Sequence, residues 1–177
     1  MRNLLVRLIG ENIELKFNLD PNLGLVKMDP TQSQQTLLNL VLNARDAMPG
    51  GGTITVETSN CRVQALAEAR PGNSNGTSLP CALFVVSDTG LGMDAKTQAH
   101  LFEAFFATKA GKGTGLGLAT VYDIVSGSGG LIHVESALGC GTRVSAILPL
   151  VPPSILATKD LHNFQPAESA GVFIPKG

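Results

Sequence analysis

One helix constrains the rest of the chain. Asp29-Pro30 sets a capping acceptor before a proline at the first helical position, and Pro49-Gly50-Gly51-Gly52 closes the far end. Between them, residues 31–48 carry apolar side chains at helical spacing. Directly past the glycines, Thr53-Ile54-Thr55-Val56-Glu57-Thr58-Ser59 alternates as a half-buried strand. A long amphipathic helix that runs straight into a strand needs a sheet on which to lay its apolar face. Further strands read at 13–18, 25–28, 82–87, 131–136 and 141–150. Helices read at 1–9, at 94–101 from an Asp94 cap, and at 116–126. Residues 61–80 read as a variable hairpin tip and 103–114 as a mobile loop. Because the strands are joined mostly by hairpins, the expected class is α+β: a two-layer sandwich, with a mixed, mostly antiparallel sheet under a helical layer. One domain is expected over 1–150. The pattern collapses past Pro149, so 151–177 reads as a tail or linker.

Composition narrows the function. Thirteen basic against fourteen acidic residues, with no basic block, argue against a partner of nucleic acid or anionic membrane. Charged residues make up 15% of the chain, against a usual ~25%, while glycine is in excess at twenty. That balance suggests loops that bind through their backbone. Cys61, Cys81 and Cys140 are far apart in sequence and odd in number, so neither a disulfide framework nor a structural zinc site is expected. No apolar run approaches the ~20 residues of a membrane span. The expectation is a soluble, cytoplasmic chain without direct membrane contact.

Three segments carry candidate chemistry. On the long helix, Gln35, Asn39, Asn43 and Asp46 fall within about 80° of one another at about 100° per residue. The stripe is either a solvated face or a ligand set, and it holds two amides at i, i+4 with no lysine or glutamate. An amide oxygen suits a hard cation that also holds phosphates, as Mg²⁺ does. Asp88-Thr89-Gly90-Leu91-Gly92 follows a buried strand. It is either an ordinary turn or a place where a flat ring approaches the backbone while a carboxylate accepts from an exocyclic amine. Gly113-Thr114-Gly115-Leu116-Gly117-Leu118 opens a helix, where free N–H groups can meet an anion. A P-loop is excluded, since Gly111-Lys112 is followed by Gly113 and Phe106 stands at the first-glycine position. A Rossmann fingerprint fails on spacing and on the loop that precedes it.

Together these segments resemble the catalytic and ATP-binding domain of two-component sensor histidine kinases, within the gyrase, Hsp90, histidine kinase and MutL group of ATPases. The likeness covers residues 1–150 and five boxes in order. Asn-Leu-Val-Leu-Asn-Ala-Arg-Asp-Ala at 39–47 resembles the N box, and 88–92 the first glycine box. Leu-Phe-Glu-Ala-Phe-Phe at 101–106 is similar to the F box, 113–118 to the second glycine box, and Gly-Cys-Gly-Thr at 139–142 to the last.

The resemblance implies an ATP- and Mg²⁺-dependent protein-histidine kinase domain. Asn43 would ligate Mg²⁺ bridging the phosphates, with Asn39 supporting it. Asp88 would accept the adenine amino group, Gly90 and Gly92 would admit the ring, and Thr142 would complete the pocket. Gly113, Thr114, Gly115, Leu116 and Gly117 would face the phosphates, and Lys109 and Lys112 would reach them from the lid or stay solvated. Asp46 joins the nucleotide-binding set, although many sensor kinases carry a basic residue there. Arg45 projects roughly 160° from Asn43 and is expected to snorkel rather than reach phosphate. Hydrolytic relatives carry a glutamate where this chain has Asn39, which favours the histidine-kinase branch. A non-catalytic ATP-sensing module and a hydrolytic clamp are the alternatives. None of His100, His133 and His162 resembles a phosphoacceptor, so the chain is expected not to autophosphorylate alone. The implied partners are a dimeric helical hairpin bearing that histidine and a downstream response regulator or receiver domain. The implied location is cytoplasmic, alone or as the cytoplasmic part of a membrane-bound sensor.

Overall fold

A computed structural model describes residues 2–63, 78–103 and 115–151. The elements run α1 (Arg2–Ile9), β1 (Ile13–Leu19), α2 (Pro30–Asp46), β2 (Gly52–Val63), β3 (Leu79–Asp88), α3 (Ala95–Ala99), α4 (Gly117–Gly127), β4 (Leu131–Ala137) and β5 (Gly141–Pro149). The strands form one five-stranded sheet in the order β1-β2-β3-β5-β4. β1 and β2 are parallel because α2 crosses between them; the other three pairings are antiparallel. This is the mixed, mostly antiparallel sandwich that the sequence predicts.

α2 forms where its signals place it. The Asp29 carboxylate accepts from Thr31 N at 2.7 Å and Gln32 N at 3.2 Å, with Pro30 at the first helical position. Its apolar stripe, Leu37, Leu40, Val41, Ala44 and the following Met48, is buried on Ile54, Val56, Val86, Val144 and Ala146 of the sheet and beside Val121 and Val125 of α4. Leu5 and Ile9 of α1 close the same core. Burying each of the valine, leucine, isoleucine and methionine side chains among these contributes about 1.5–3 kcal/mol. This packing holds the polar stripe of α2 in register with the start of α4.

One expected strand is absent. Residues 25–28 alternate in exposure as an extended segment does, but Val26 makes only a single bridge, to Leu150. Leu150 lies beyond the last paired residue of β5, so the segment passes the end of the sheet and finds no strand edge to follow.

The cysteines, distant in sequence, are not all distant in space. Cys61 and Cys81 are direct partners in the β2–β3 register, and all three thiols are unbridged. Burial pushes both of these thiols up from their ordinary pKa, and Cys81 is raised further by Cys61. Cys140 is exposed in the β4–β5 turn. Because the thiolate is the nucleophile, iodoacetamide at neutral pH should label Cys140 first and the strand cysteines at least about tenfold more slowly. A mass-spectrometric time course reads the order, and equal rates at all three would contradict it.

Candidate nucleotide-binding site

A cavity of about 1010 Å³ opens between the polar face of α2, the α1–β1 turn, the end of β3, the β4–β5 turn and the start of α4. Its two ends differ in chemistry.

At the first end, β3 delivers Asp88 to the cavity wall. One carboxylate oxygen, Oδ1, accepts from Gly90 N at 2.8 Å and from Thr142 N at 3.3 Å. Burial raises the Asp88 pKa above its ordinary 3.8, and the two backbone hydrogen bonds oppose that shift without cancelling it. Oδ2 has no hydrogen-bond partner among the described residues, so an acceptor remains available to a ligand.

The loop after β3 is fitted between two walls. Leu91 N donates to Ala47 O at the end of α2 (3.0 Å), and Gly139 N donates back to Leu91 O (2.7 Å). A Cβ at Gly90 would lie 2.5 Å from the Ala47 carbonyl oxygen. Gly92 has φ +63°, and a Cβ there would run into the Ala137 carbonyl. These glycines are therefore required by neighbouring backbone, in addition to any ring they admit.

At the other end, Asn39 and Asn43 face the opening of α4. Asn39 Nδ2 donates to Gly117 O at 3.3 Å, tying the two helices together. Asn43 lines the cavity one turn later, and its carboxamide has no hydrogen-bond partner among the described residues. A Cβ added to Gly117 would sit 3.4 Å from both polar atoms of that amide. Leu116 caps α4 without a side-chain hydrogen bond, and Gly115 has φ +67°. The first N–H groups of α4 are thus left to an outside acceptor, at the positive end of an 11-residue helix.

The structure brings together Asn39, Asn43, Asp46, Asp88, Gly92, Gly115, Gly117 and Thr142 as cavity-lining residues. Asp46 is already engaged, its Oδ1 accepting from Arg45 Nε at 2.8 Å and Nη2 at 2.6 Å. Arg45 also donates to Leu8 O at 3.1 Å, which anchors it to α1. Phe102 of the F box packs on Tyr122 of α4, with centroids 5.2 Å apart. Lys109, Lys112, Gly113 and Thr114 lie outside the described residues, as do Phe105 and Phe106. Among the described residues, no group of three or more His, Cys, Asp or Glu side chains could hold a metal ion.

Several neighbours of the site carry no motif. Ser136 and Gln98 bind the adjoining loops, and the α1–β1 turn at residues 9–13 lines the cavity. Ser136 could be found by counting pairs back from the β4–β5 turn, which sets it opposite Thr142. The turn residues could not, because only the tertiary packing of α1 brings them in.

Comparison with known proteins identifies the family. Residues 28–152 match the family described as histidine kinase-, DNA gyrase B-, and HSP90-like ATPase. The sensor kinase CckA of Brucella abortus is 44% identical over 150 residues, which are 84% of this chain and 16% of that protein. The chain therefore spans a small part of that relative. Full-length ShkA, solved in complex with AMPPNP, superposes with a TM-score of 0.65 at 27% identity, over 84% of this chain and 28% of that one. The catalytic domain of the histidine kinase ThkA gives 0.63 at 26% identity, over 85% and 86%.

Proposed function

The chain belongs to the histidine kinase-, DNA gyrase B- and HSP90-like ATPase family, and from that premise we propose that it is the ATP-binding catalytic domain of a sensor histidine kinase. Its reaction passes the γ-phosphate of ATP to a histidine on a separate helical hairpin. The observation that carries this reading is the pairing of two unlike ends in one cavity. The carboxylate of Asp88 keeps one oxygen open, while the amide of Asn43 faces the uncapped start of α4.

The 6-amino group of adenine donates to Asp88 Oδ2, since Oδ1 is taken by Gly90 and Thr142. The phosphates extend toward α4, where its first N–H groups donate to their oxygens. Asn43 fits a cation that arrives on those phosphates: it offers a neutral oxygen that no protein donor occupies, and adds no charge to repel them. Asn43 would hold such a Mg²⁺, which would supply neutralisation of the phosphates' negative charge during transfer. Asn39 holds Gly117 and so keeps the start of α4 against α2. One turn before Asn43 the chain thus carries an amide rather than a carboxylate base. A neutral imidazole already offers a lone pair, so attack by a histidine needs no such base. Lys109, Lys112, Gly113 and Thr114 belong to this proposal as lid residues that approach the phosphates.

The implied partners are the hairpin domain, with its dimer, and a response regulator or receiver domain. A cytoplasmic location belongs to the same proposal. No described helix is long and apolar enough to cross a membrane.

The test is to mix the chain with Mg-ATP and a hairpin domain bearing the acceptor histidine, prepared separately. Acid-labile, base-stable phosphate should appear on the hairpin and not on the chain incubated alone. Within the chain, His100 is held by Glu103 at 2.8 Å, and His133 lies on β4. ATP binding without transfer would replace this reading with a nucleotide-sensing module, and phosphate release without phosphohistidine with a hydrolytic clamp.

A further inference from the structure

We propose that Ser136 is a positioning residue that sets the base selectivity of the site by holding the Thr142 hydroxyl as a hydrogen-bond acceptor. The inference rests on the nucleotide reading above and deepens it.

Ser136 stands opposite Thr142 in the β4–β5 ladder, and its single hydroxyl has three partners. Met93 N donates to Ser136 Oγ at 2.9 Å. Ser136 Oγ lies 3.0 Å from Gly141 O and 2.9 Å from Thr142 Oγ1. A serine hydroxyl has one proton and two lone pairs. A carbonyl can only accept, so the Ser136 proton goes to Gly141 O. One lone pair then takes Met93 N–H, and the other takes the Thr142 proton. This is the one assignment that uses all three contacts. The reverse would aim a Ser136 lone pair at a carbonyl oxygen 3.0 Å away.

The consequence falls on the cavity. Thr142 lines it, Ser136 does not, and Thr142 N–H is committed to Asp88 Oδ1. With its proton turned to Ser136, the Thr142 hydroxyl presents lone pairs to the ligand. The polar wall therefore shows two acceptors side by side, the Asp88 carboxylate and the Thr142 oxygen. A base with an amino donor at the 6-position satisfies them directly, one N–H to each. A base with a 6-carbonyl meets acceptor with acceptor. Ser136 also carries structure, since its carbonyl accepts from Gln98 Nε2 at 2.9 Å. That bond uses backbone and survives a side-chain change.

The experiment compares the dissociation constants of ATP and inosine triphosphate, which exchanges the 6-amino group for a carbonyl. It uses competition against a fluorescent ATP analogue on the whole chain. The parent should favour ATP. Ser136→Ala frees the Thr142 proton to rotate toward the cavity, and the ATP preference should shrink by about tenfold, the scale of one neutral hydrogen bond. Thr142→Val should give the same narrowing, which keeps the test open if Ser136→Ala folds poorly. In the Thr142→Val background, Ser136→Ala should leave the ratio within about twofold, because its route is gone. A purely structural Ser136 would weaken both nucleotides alike. An unchanged ratio in Ser136→Ala or in Thr142→Val overturns the inference, as does equal narrowing in both backgrounds. A parent that binds both nucleotides equally overturns it while sparing the nucleotide site. A parent that binds neither overturns the nucleotide reading itself, and this inference with it.

Discussion

Asp88→Asn is expected to weaken ATP binding by roughly 100-fold while leaving the protein at neutral pH at least as stable as the parent. The asparagine Oδ1 can go on accepting from Gly90 N and Thr142 N, which fixes the amide orientation. Its Nδ2 then stands where Asp88 offers an acceptor, and meets the adenine amino group donor to donor. Flipping the amide would restore the acceptor only by abandoning both backbone bonds. The stability half follows from the raised pKa of Asp88. In the unfolded chain the group titrates near 3.8; in the fold it holds its proton to higher pH, chiefly because burial disfavours the charge. Below 3.8 the carboxyl is neutral in both states and folding carries no charge penalty. As pH rises through the folded value, the native state loses stability relative to the unfolded chain, and above it the loss is constant. Asparagine cannot ionise, so the variant lacks that part of the pH dependence. Thermal melts from pH 3 to 8, beside calorimetric titration with ATP, read both halves. A variant that keeps ATP affinity, or melts well below the parent at neutral pH, would sink the assignment.

What the sequence made legible was whatever depended on local chemistry. The start of α2 could be read because Asp29 and Pro30 act within one turn, and its end because no helix continues through Pro49 and three glycines. Spacing set Asn39 and Asn43 on one face of α2, and the buried strand that leads to Asp88 placed that residue, whereas Thr142 entered only through the family resemblance. Residues 25–28 failed for a complementary reason. Their alternation describes an extended backbone, but a strand also needs a free edge, and β5, past whose end Val26 meets Leu150, is already flanked by β3 and β4. Arg45 shows an intermediate case. Helical geometry sets it on another face of α2 from Asn43, yet it still lines the cavity, and its anchor on the Leu8 carbonyl and its grip on Asp46 needed α1 in place. Asp46 is consequently half of an ion pair through its Oδ1, each side chain 35% exposed. A pair that exposed contributes little to stability. Ser136 carries no local signal because its importance lies across a strand pairing, in a hydroxyl whose partners come from the loop after β3 and the start of β5.

The second large effect concerns Asn43. Asn43→Ala is expected to lower phosphoryl transfer to the hairpin by at least about 100-fold, the scale of losing one group that stabilises a transition state, while adenosine binds within about twofold of the parent. Two features separate this from damage to the fold. The Asn43 side chain is exposed to the cavity and makes no hydrogen bond among the described residues, so truncation leaves no buried partner unsatisfied. Alanine is also the better helix former, so α2 loses nothing in propensity. The lost oxygen has no hydrogen-bond partner among the described residues to leave behind. Adenosine, which lacks phosphates, uses the Asp88 end alone and should not register the change; Mg-ATP uses both ends and should. Asn43→Asp sharpens the reading. It returns an oxygen for the cation but adds a charge that repels the phosphates, so its transfer rate should fall between alanine and the parent. Radiolabel transfer to the hairpin gives the rates, and calorimetry with adenosine and with Mg-ATP gives the two affinities. Equal losses for adenosine and Mg-ATP would place Asn43 in the architecture of the cavity. Undiminished transfer by Asn43→Ala would remove it from the phosphate end altogether. A rate loss confined to phosphate-bearing ligands leaves the amide of Asn43 as the group through which α2 meets the charge being moved.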